Sequence, residues 1–397
     1  MNLYLIKECM SNGIREIFNA EMVVLTLFYS LYTFSVSLWY NFLSLYLGLF
    51  LKTEEVGLLF SLLSIGGMFS LVLGGVFADS FGRKPAIIAS TLGTAGIAVV
   101  LGFFRDIYML VIAFLILGLC SQSLRSVLRV FIAEKLPERL RGRGIGVIFT
   151  IIALTAAIAP GIGGILIGAH GFPNVLLFSS FLMIISLISL TSVRETISMM
   201  KRPHNAVKPL KAIALVPKLR RSLIFYYVAW CVYCFGTEMV IPYVSLFADK
   251  VLELKVDEIG LMFTLSSLLA LPSYYVGGAL ADKLGYRLTL AMSLGINSLL
   301  LTLMAFSPHK GMAIACWALS NFVFMAHESP EISLLIELAH PEARSTAMSL
   351  LGTLISLAVI PSPLIGGFLW SLIGPRSVYL VMCLFSFFSL VFLALTK

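Results

Sequence analysis

The chain has the marks of an all-α membrane protein with twelve transmembrane helices, arranged as two pseudo-symmetric six-helix bundles. Three observations lead there. Hydrophobic residues fill 59% of the 397 positions and charged residues only 12%, about half the charged share of a soluble chain. The apolar residues collect in twelve long runs, and a set of glycines, prolines and charges recurs at a constant spacing of 203 residues.

The runs come first. A spanning helix needs about 20 apolar residues, because the hydrocarbon layer is about 30 Å thick and offers backbone groups no water. Such runs lie near residues 22–48, 55–78, 86–104, 108–133, 144–169 and 175–193, and again near 222–248, 258–281, 288–306, 312–336, 346–371 and 377–395. Residues 1–193 are therefore expected to form an N-terminal bundle and 222–397 a C-terminal one. Between them, 194–221 is rich in Arg, Lys and Pro and reads as a cytoplasmic linker.

Charge sets the orientation. The net charge of +8 sits in short clusters between apolar runs, so it is a topological signal and nucleic acid is not an expected partner. Alternate loops and ends on one side hold twenty Lys and Arg, and those on the other side hold six. The positive excess marks the cytoplasm, so both termini are expected there, with the chain in the cell membrane. The first twenty residues carry Lys7, Glu8, Arg15 and Glu16 and lack the short apolar core of a cleaved signal, so the first span is expected to insert uncleaved. The six cysteines are scattered, and Cys231 and Cys234 form a C-x-x-C inside an apolar span, where a redox role is not expected.

The repeat decides the architecture. Gly57 falls on Gly260, Gly75 on Gly278, Asp79 on Asp282 and Gly82 on Gly285. Further along, Glu134 falls on Glu337, Arg141 on Arg344, Pro160 on Pro363, and Gly163 with Gly164 on Gly366 with Gly367. One offset without a gap means duplication. Six spans per half make the repeats parallel, with a substrate site expected at the midplane between them. The glycine pairs also suit close helix packing alone.

The segment Gly75-Val-Phe-Ala-Asp79-Ser-Phe-Gly82-Arg83-Lys84, between spans 2 and 3, resembles the signature loop of the major facilitator superfamily. A second copy runs Gly278-Ala-Leu-Ala-Asp282-Lys-Leu-Gly285-Tyr286-Arg287. The resemblance implies transport by alternating access, with the loop latching one conformation. It implies that Asp79 faces the start of span 11 and pairs with Arg83 and Glu134, and that Asp282 and Glu337 are the counterparts, with Arg141 and Arg344 in the same motif. Tyr286 stands where Arg83 would repeat, so a weaker second latch is expected. A purely topological role for Arg83 and Lys84 stays open. Pro160-Gly-Ile-Gly163-Gly164 in span 5 resembles the end of a motif of efflux-type members. Thr155 and Ala159 replace its earlier glycines, Phe114 replaces an Arg of drug antiporters, and Pro363, Gly366 and Gly367 repeat the pattern in span 11.

Ionisable groups at mid-membrane cost about 3 kcal/mol on insertion scales and are functional candidates by default. Gln122, Arg125 and Arg129 share one face of span 4; Glu238 lies in span 7, and Glu328 and Glu331 in span 10. The resemblance implies that spans 1, 4, 7 and 10 line the cavity. Ser30, Thr33, Ser37, Asn41 and Ser44 form a polar stripe on span 1, although each hydroxyl can also bond to its own helix. Arg129, Glu331 and Glu337 lie nearer the cytoplasmic end and can reach the interface. His327 points to a different face from Glu328 and reads equally as a packed residue or a proton relay.

The expected function is secondary active transport of a small molecule, as proton-coupled efflux of a drug or metabolite, by a monomer with the proton and the bilayer as its other partners. Glu238 would carry the proton, alone or with Glu328, while Arg125 modulates it. An importer or uniporter of an organic anion bound by Arg125 and Arg129 competes with this, as does a transport-inactive receptor on the same fold. Motifs of metalloproteases, serine hydrolases and ATP-driven pumps are missing, so an enzyme, a metal site or a cofactor is not expected.

Overall fold

The computed structural model describes residues 19–195, 221–341 and 344–396. The first eighteen residues and most of the expected linker lie outside them. Among the described residues all regular structure is helical: α1 Ala20–Ser37, α2 Leu43–Leu47, α3 Thr53–Phe81, α4 Arg83–Phe103, α5 Ile107–Lys135, α6 Arg141–His170 and α7 Phe172–Leu190. There follow α8 Arg221–Val240, α9 Val244–Lys250, α10 Val256–Ala270, α11 Ser273–Leu284, α12 Tyr286–Ala305, α13 Lys310–Met325, α14 Glu328–Leu338, α15 Arg344–Val359, α16 Ser362–Leu372 and α17 Pro375–Ala394.

Local chemistry accounts for the helix starts. Asn19 caps α1 by accepting the Met22 N–H at 2.9 Å, and Asp106 caps α5 by accepting from Tyr108 and Met109 at 3.1 and 3.2 Å. Gly82, Gly171, Gly285 and Gly374 enter α4, α7, α12 and α17 with φ of 103°, 78°, 85° and 119°, a region that side chains avoid. Gly82 and Gly285 are one repeat apart, and so are Gly171 and Gly374. The duplication therefore reaches beyond the stretch compared in the sequence.

Several spans are broken where a continuous helix was expected. Span 1 passes through a tight turn at Tyr40–Phe42 and span 7 through one at Ile241–Tyr243. Span 8 bends by 44° between α10 and α11, just before Pro272. Span 10 is interrupted at Ala326 and His327, and span 11 at Ile360 and Pro361. Among the described residues nine helices are long and apolar enough to cross a membrane, or up to eleven if two bent pairs count as single spans. Span 10 falls short because its break leaves helices of 16 and 11 residues.

Packing divides the described chain into two compact units. One takes in residues 19–40 and 65–195, the other 41–64, 221–341 and 344–396. In the first, α1 packs on α6 and α7, and α4 on α5 and α7. In the second, α8 packs on α15, α16 and α17, and α12 on α13 and α17, the same pairing one repeat later. Residues 41–64 join the second unit through specific contacts: Ser44 and Ser245 share a 2.8 Å hydrogen bond, and the Ser61 hydroxyl accepts the Leu364 N–H at 3.2 Å.

Glycines make the close approaches possible. A Cβ on Gly163 would strike the Leu38 carbonyl, one on Gly366 the Met239 carbonyl, and one on Gly277 the Ala326 carbonyl. Gly367 abuts the Thr53 carbonyl and the Tyr243 hydroxyl. Pro160 lies buried inside α6, and Pro363 is buried at the start of α16, where the missing N–H costs nothing.

Candidate functional site

The signature loop of the first unit is a charge network. Asp79 stands in the last turn of α3, Gly82 reverses the chain, and Arg83 opens α4 with its guanidinium folded back. Its Nη1 lies 2.8 Å from Asp79 Oδ1, and its Nη2 lies 3.3 Å from Glu134 Oε1 in the last turn of α5. Planar Arg suits this because its fork can meet two carboxylates at once. Arg141 Nε donates to the Ala133 carbonyl at 2.9 Å and thereby finishes α5. Lys84 Nζ donates to the Thr191 and Val193 carbonyls at 3.1 and 2.9 Å, and its backbone N–H donates to Glu195 Oε2 at 2.7 Å. Lys135 pairs with Glu21 at 2.6 Å.

The second copy keeps the turn and loses the network. Asp282, Glu337 and Arg344 are exposed, and none has an ion pair with another described residue. Tyr286 occupies the place of Arg83 and packs against the apolar core of its unit. Arg287, at the place of Lys84, still donates to carbonyls at the end of the last helix: Nε to Leu393 at 3.0 Å and Nη2 to Ala394.

The intramembrane cations lie in the first unit. Gln122 is half-buried on α5, while Arg125 and Arg129 are exposed and have no carboxylate partner among the described residues. The Arg129 guanidinium stands 6.0 Å from the centre of the Phe149 ring of α6, and Phe149 meets Tyr29 of α1 edge-on at 6.0 Å. Such stacking favours a cation.

The polar stripe expected on span 1 is not one helical face, because the span breaks after Ser37. Ser37 ends α1 half-buried, whereas Asn41 lies in the turn that follows and packs with the other unit. Thr33 satisfies itself on the Tyr29 carbonyl at 2.8 Å. Of the five stripe residues, Ser30 alone keeps a buried hydroxyl oxygen without a partner among the described residues.

The anionic groups lie in the second unit. Glu238 is half-buried near the end of α8 and makes no hydrogen bond or ion pair with a described residue. Glu328 opens α14 directly after the break and is exposed. Beside it lies a cluster that the sequence reading did not assemble. His327 is only 8% exposed, with Nε2 3.4 Å from Glu331 Oε2. Its ring centre is 5.0 Å from that of Trp230 and 4.6 Å from that of Phe324. Trp230 Nε1 donates to the Tyr226 hydroxyl at 2.7 Å, which donates onward to the Glu331 carbonyl at 2.9 Å. The four-residue spacing of His327 and Glu331 was the available signal. The placement of Glu331 at the interface hid it.

The comparisons agree with this architecture. The family model described as Major Facilitator Superfamily matches residues 22–255 and 226–397. The chain is 25% identical over 341 residues to the multidrug resistance protein MdtG of Proteus mirabilis, covering 85% of this chain and 84% of that one. It is 22% identical over 361 residues to an uncharacterized MFS-type transporter of Methanocaldococcus jannaschii, covering 89% and 93%. Among solved structures, the nucleoside transporter NupG superposes with a TM-score of 0.78 at 14% identity, covering 95% of this chain and 100% of that one. A bacterial homolog of the human lysosomal transporter Spinster, inward-facing and unoccupied, gives 0.74 at 15%, covering 94% and 95%. With two helical units paired alike, a signature loop in each and a family model that spans both, the chain belongs to the major facilitator superfamily and is a transporter rather than an enzyme.

Proposed function

We propose that this transporter exports a lipophilic small molecule from the cytoplasm across the cell membrane in exchange for protons, with both termini cytoplasmic. Glu238 carries this reading. A half-buried carboxylate inside a membrane-spanning helix and without a partner among the described residues is a functional candidate by default. A group of that kind can take a proton in one conformation and release it in another. The multidrug relatives, at 25% identity, support export as the direction, and the aromatic, acid-bearing interior of the second unit suits an apolar or cationic substrate.

The test is a proteoliposome assay with a lipophilic cationic dye and an imposed pH gradient. The native protein should drive the dye against its gradient, and Glu238→Gln should abolish that accumulation while leaving downhill exchange measurable. Uphill transport that survives in Glu238→Gln would falsify the assignment of the carrier.

A second reading rests on Arg125 and Arg129, two exposed arginines four residues apart on α5. They could bind a carboxylate or phosphate bidentately, and the protein would then carry an organic anion. Saturable anion uptake that depends on Arg125 would favour it.

A further inference from the structure

We propose that His327 and Glu331 form a second proton-binding station, separate from Glu238, at the break in span 10. Four observations converge there. His327 occupies the two-residue turn between α13 and α14, where the helical ladder is interrupted. It is 8% exposed, so its imidazole is held away from bulk water. Nε2 faces the Glu331 carboxylate at 3.4 Å, and Nδ1 is buried without a hydrogen-bond partner among the described residues. Trp230 and Phe324 lie against the ring at 5.0 and 4.6 Å, tilted by 50° and 64°, and complete an aromatic wall around it.

The proton balance is simple. Neutral His327 with its hydrogen on Nε2 offers that hydrogen to Glu331 and keeps the Nδ1 lone pair open. An incoming proton binds Nδ1, and the imidazolium then faces a carboxylate and two aromatic rings. Release returns the proton and leaves the pair with the single negative charge of Glu331.

The surrounding ionisable groups are few. On α14 they are Glu331 and Glu328. On α8 they are Tyr226, Cys234 and Glu238, which follow one another with Trp230 at four-residue steps on one helix face. On α11, whose Gly277 backs onto the Ala326 carbonyl, Asp282 and Lys283 come five and six residues further along the chain. On α12, Tyr286 and Arg287 stand at the helix start, and Arg287 is engaged with α17; on α15, which also packs on α14, Arg344 stands at the helix start.

This inference depends on the proton-coupled reading for its use in transport, and the proton binding itself can be measured without transport. Protonated imidazole quenches a neighbouring indole, so the emission of purified full-length protein would be titrated from pH 8 to pH 5, with Trp230→Phe subtracted to isolate Trp230. Emission from Trp230 should fall as the pH drops. His327→Gln should remove the transition, and Glu331→Gln should weaken proton binding about tenfold, moving the midpoint about one pH unit lower. Elution profile and melting temperature establish that both variants are folded. A transition that persists in His327→Gln, an unmoved midpoint in Glu331→Gln, or a flat native titration overturns the station. If the titration behaves as expected while a pH gradient drives no transport, the station stands and proton-coupled export fails.

Discussion

Lys84 and Arg287, one repeat apart, perform the same task in the two units: each opens the third helix of its half and closes the C-terminus of the sixth. Lys84 reaches the Thr191 and Val193 carbonyls, and Arg287 those of Leu393 and Ala394. The end of a helix carries free carbonyls and a partial negative charge, so a cation there satisfies both. The signature loop is thus anchored to α7 in one unit and α17 in the other.

Removing either cation should loosen that anchor. Lys84→Ala and Arg287→Ala should each cost about 1 kcal/mol, the usual scale for a cation at a helix end, and Lys84→Arg should be tolerated. Melting curves of the detergent-solubilised variants measure this. Equal stability of Lys84→Ala and the native protein would show that the carbonyls find water at no cost.

Arg83 bridges two carboxylates, and that geometry needs two N–H groups on one planar head. Arg83→Lys should keep the contact with Asp79 and lose the one with Glu134, slowing transport less than Arg83→Ala does. A double-mutant cycle between Arg83 and Glu134 should give a coupling of about 0.5–1 kcal/mol, as partly exposed pairs do. No coupling is expected between Tyr286 and Glu337, because neither is ion-paired with a described residue.

Glycines differ sharply in what they tolerate. Gly277→Ala places a methyl against the Ala326 carbonyl, beside the break in span 10, and should destabilise by about 1–3 kcal/mol. Gly352→Ala, in α15 with nothing within 4 Å, should be neutral or stabilising by up to about 1 kcal/mol. Yield and melting temperature of the two variants, measured side by side, distinguish a packing role from mere helix flexibility.

Tyr243 is buried, and its hydroxyl donates to the Pro363 carbonyl between Gly57 and Gly367. Tyr243→Phe leaves that carbonyl unserved and should cost about 1–3 kcal/mol. Faster labelling by a membrane-impermeant thiol reagent of a cysteine introduced at Ser61, in a background without native cysteines, would report the loosening. Unchanged labelling would count against a closing role for this contact.

How much of this was legible beforehand follows from what each feature depends on. Apolar runs longer than a bilayer leave helices as the only way to satisfy the backbone, so the spans could be read in one dimension. The constant offset identified the duplicated halves, and Gly82 and Gly285 marked the turns because a positive φ is a property of one residue.

Three features could be decided only in three dimensions. At the breaks near His327 and after Ser37 the Ala326 and Leu38 carbonyls press against Gly277 and Gly163 of neighbouring helices, and apolar composition is silent about such contacts. Residues 41–64 join the second unit because Ser44 and Ser61 meet Ser245 and Leu364, partners about 200 and 300 residues away. His327 and Glu331 acquire chemical meaning only when Trp230 and Tyr226 close over them from another helix. Hydropathy fixes what must avoid water, whereas the choice of partner inside the bundle is a matter of packing.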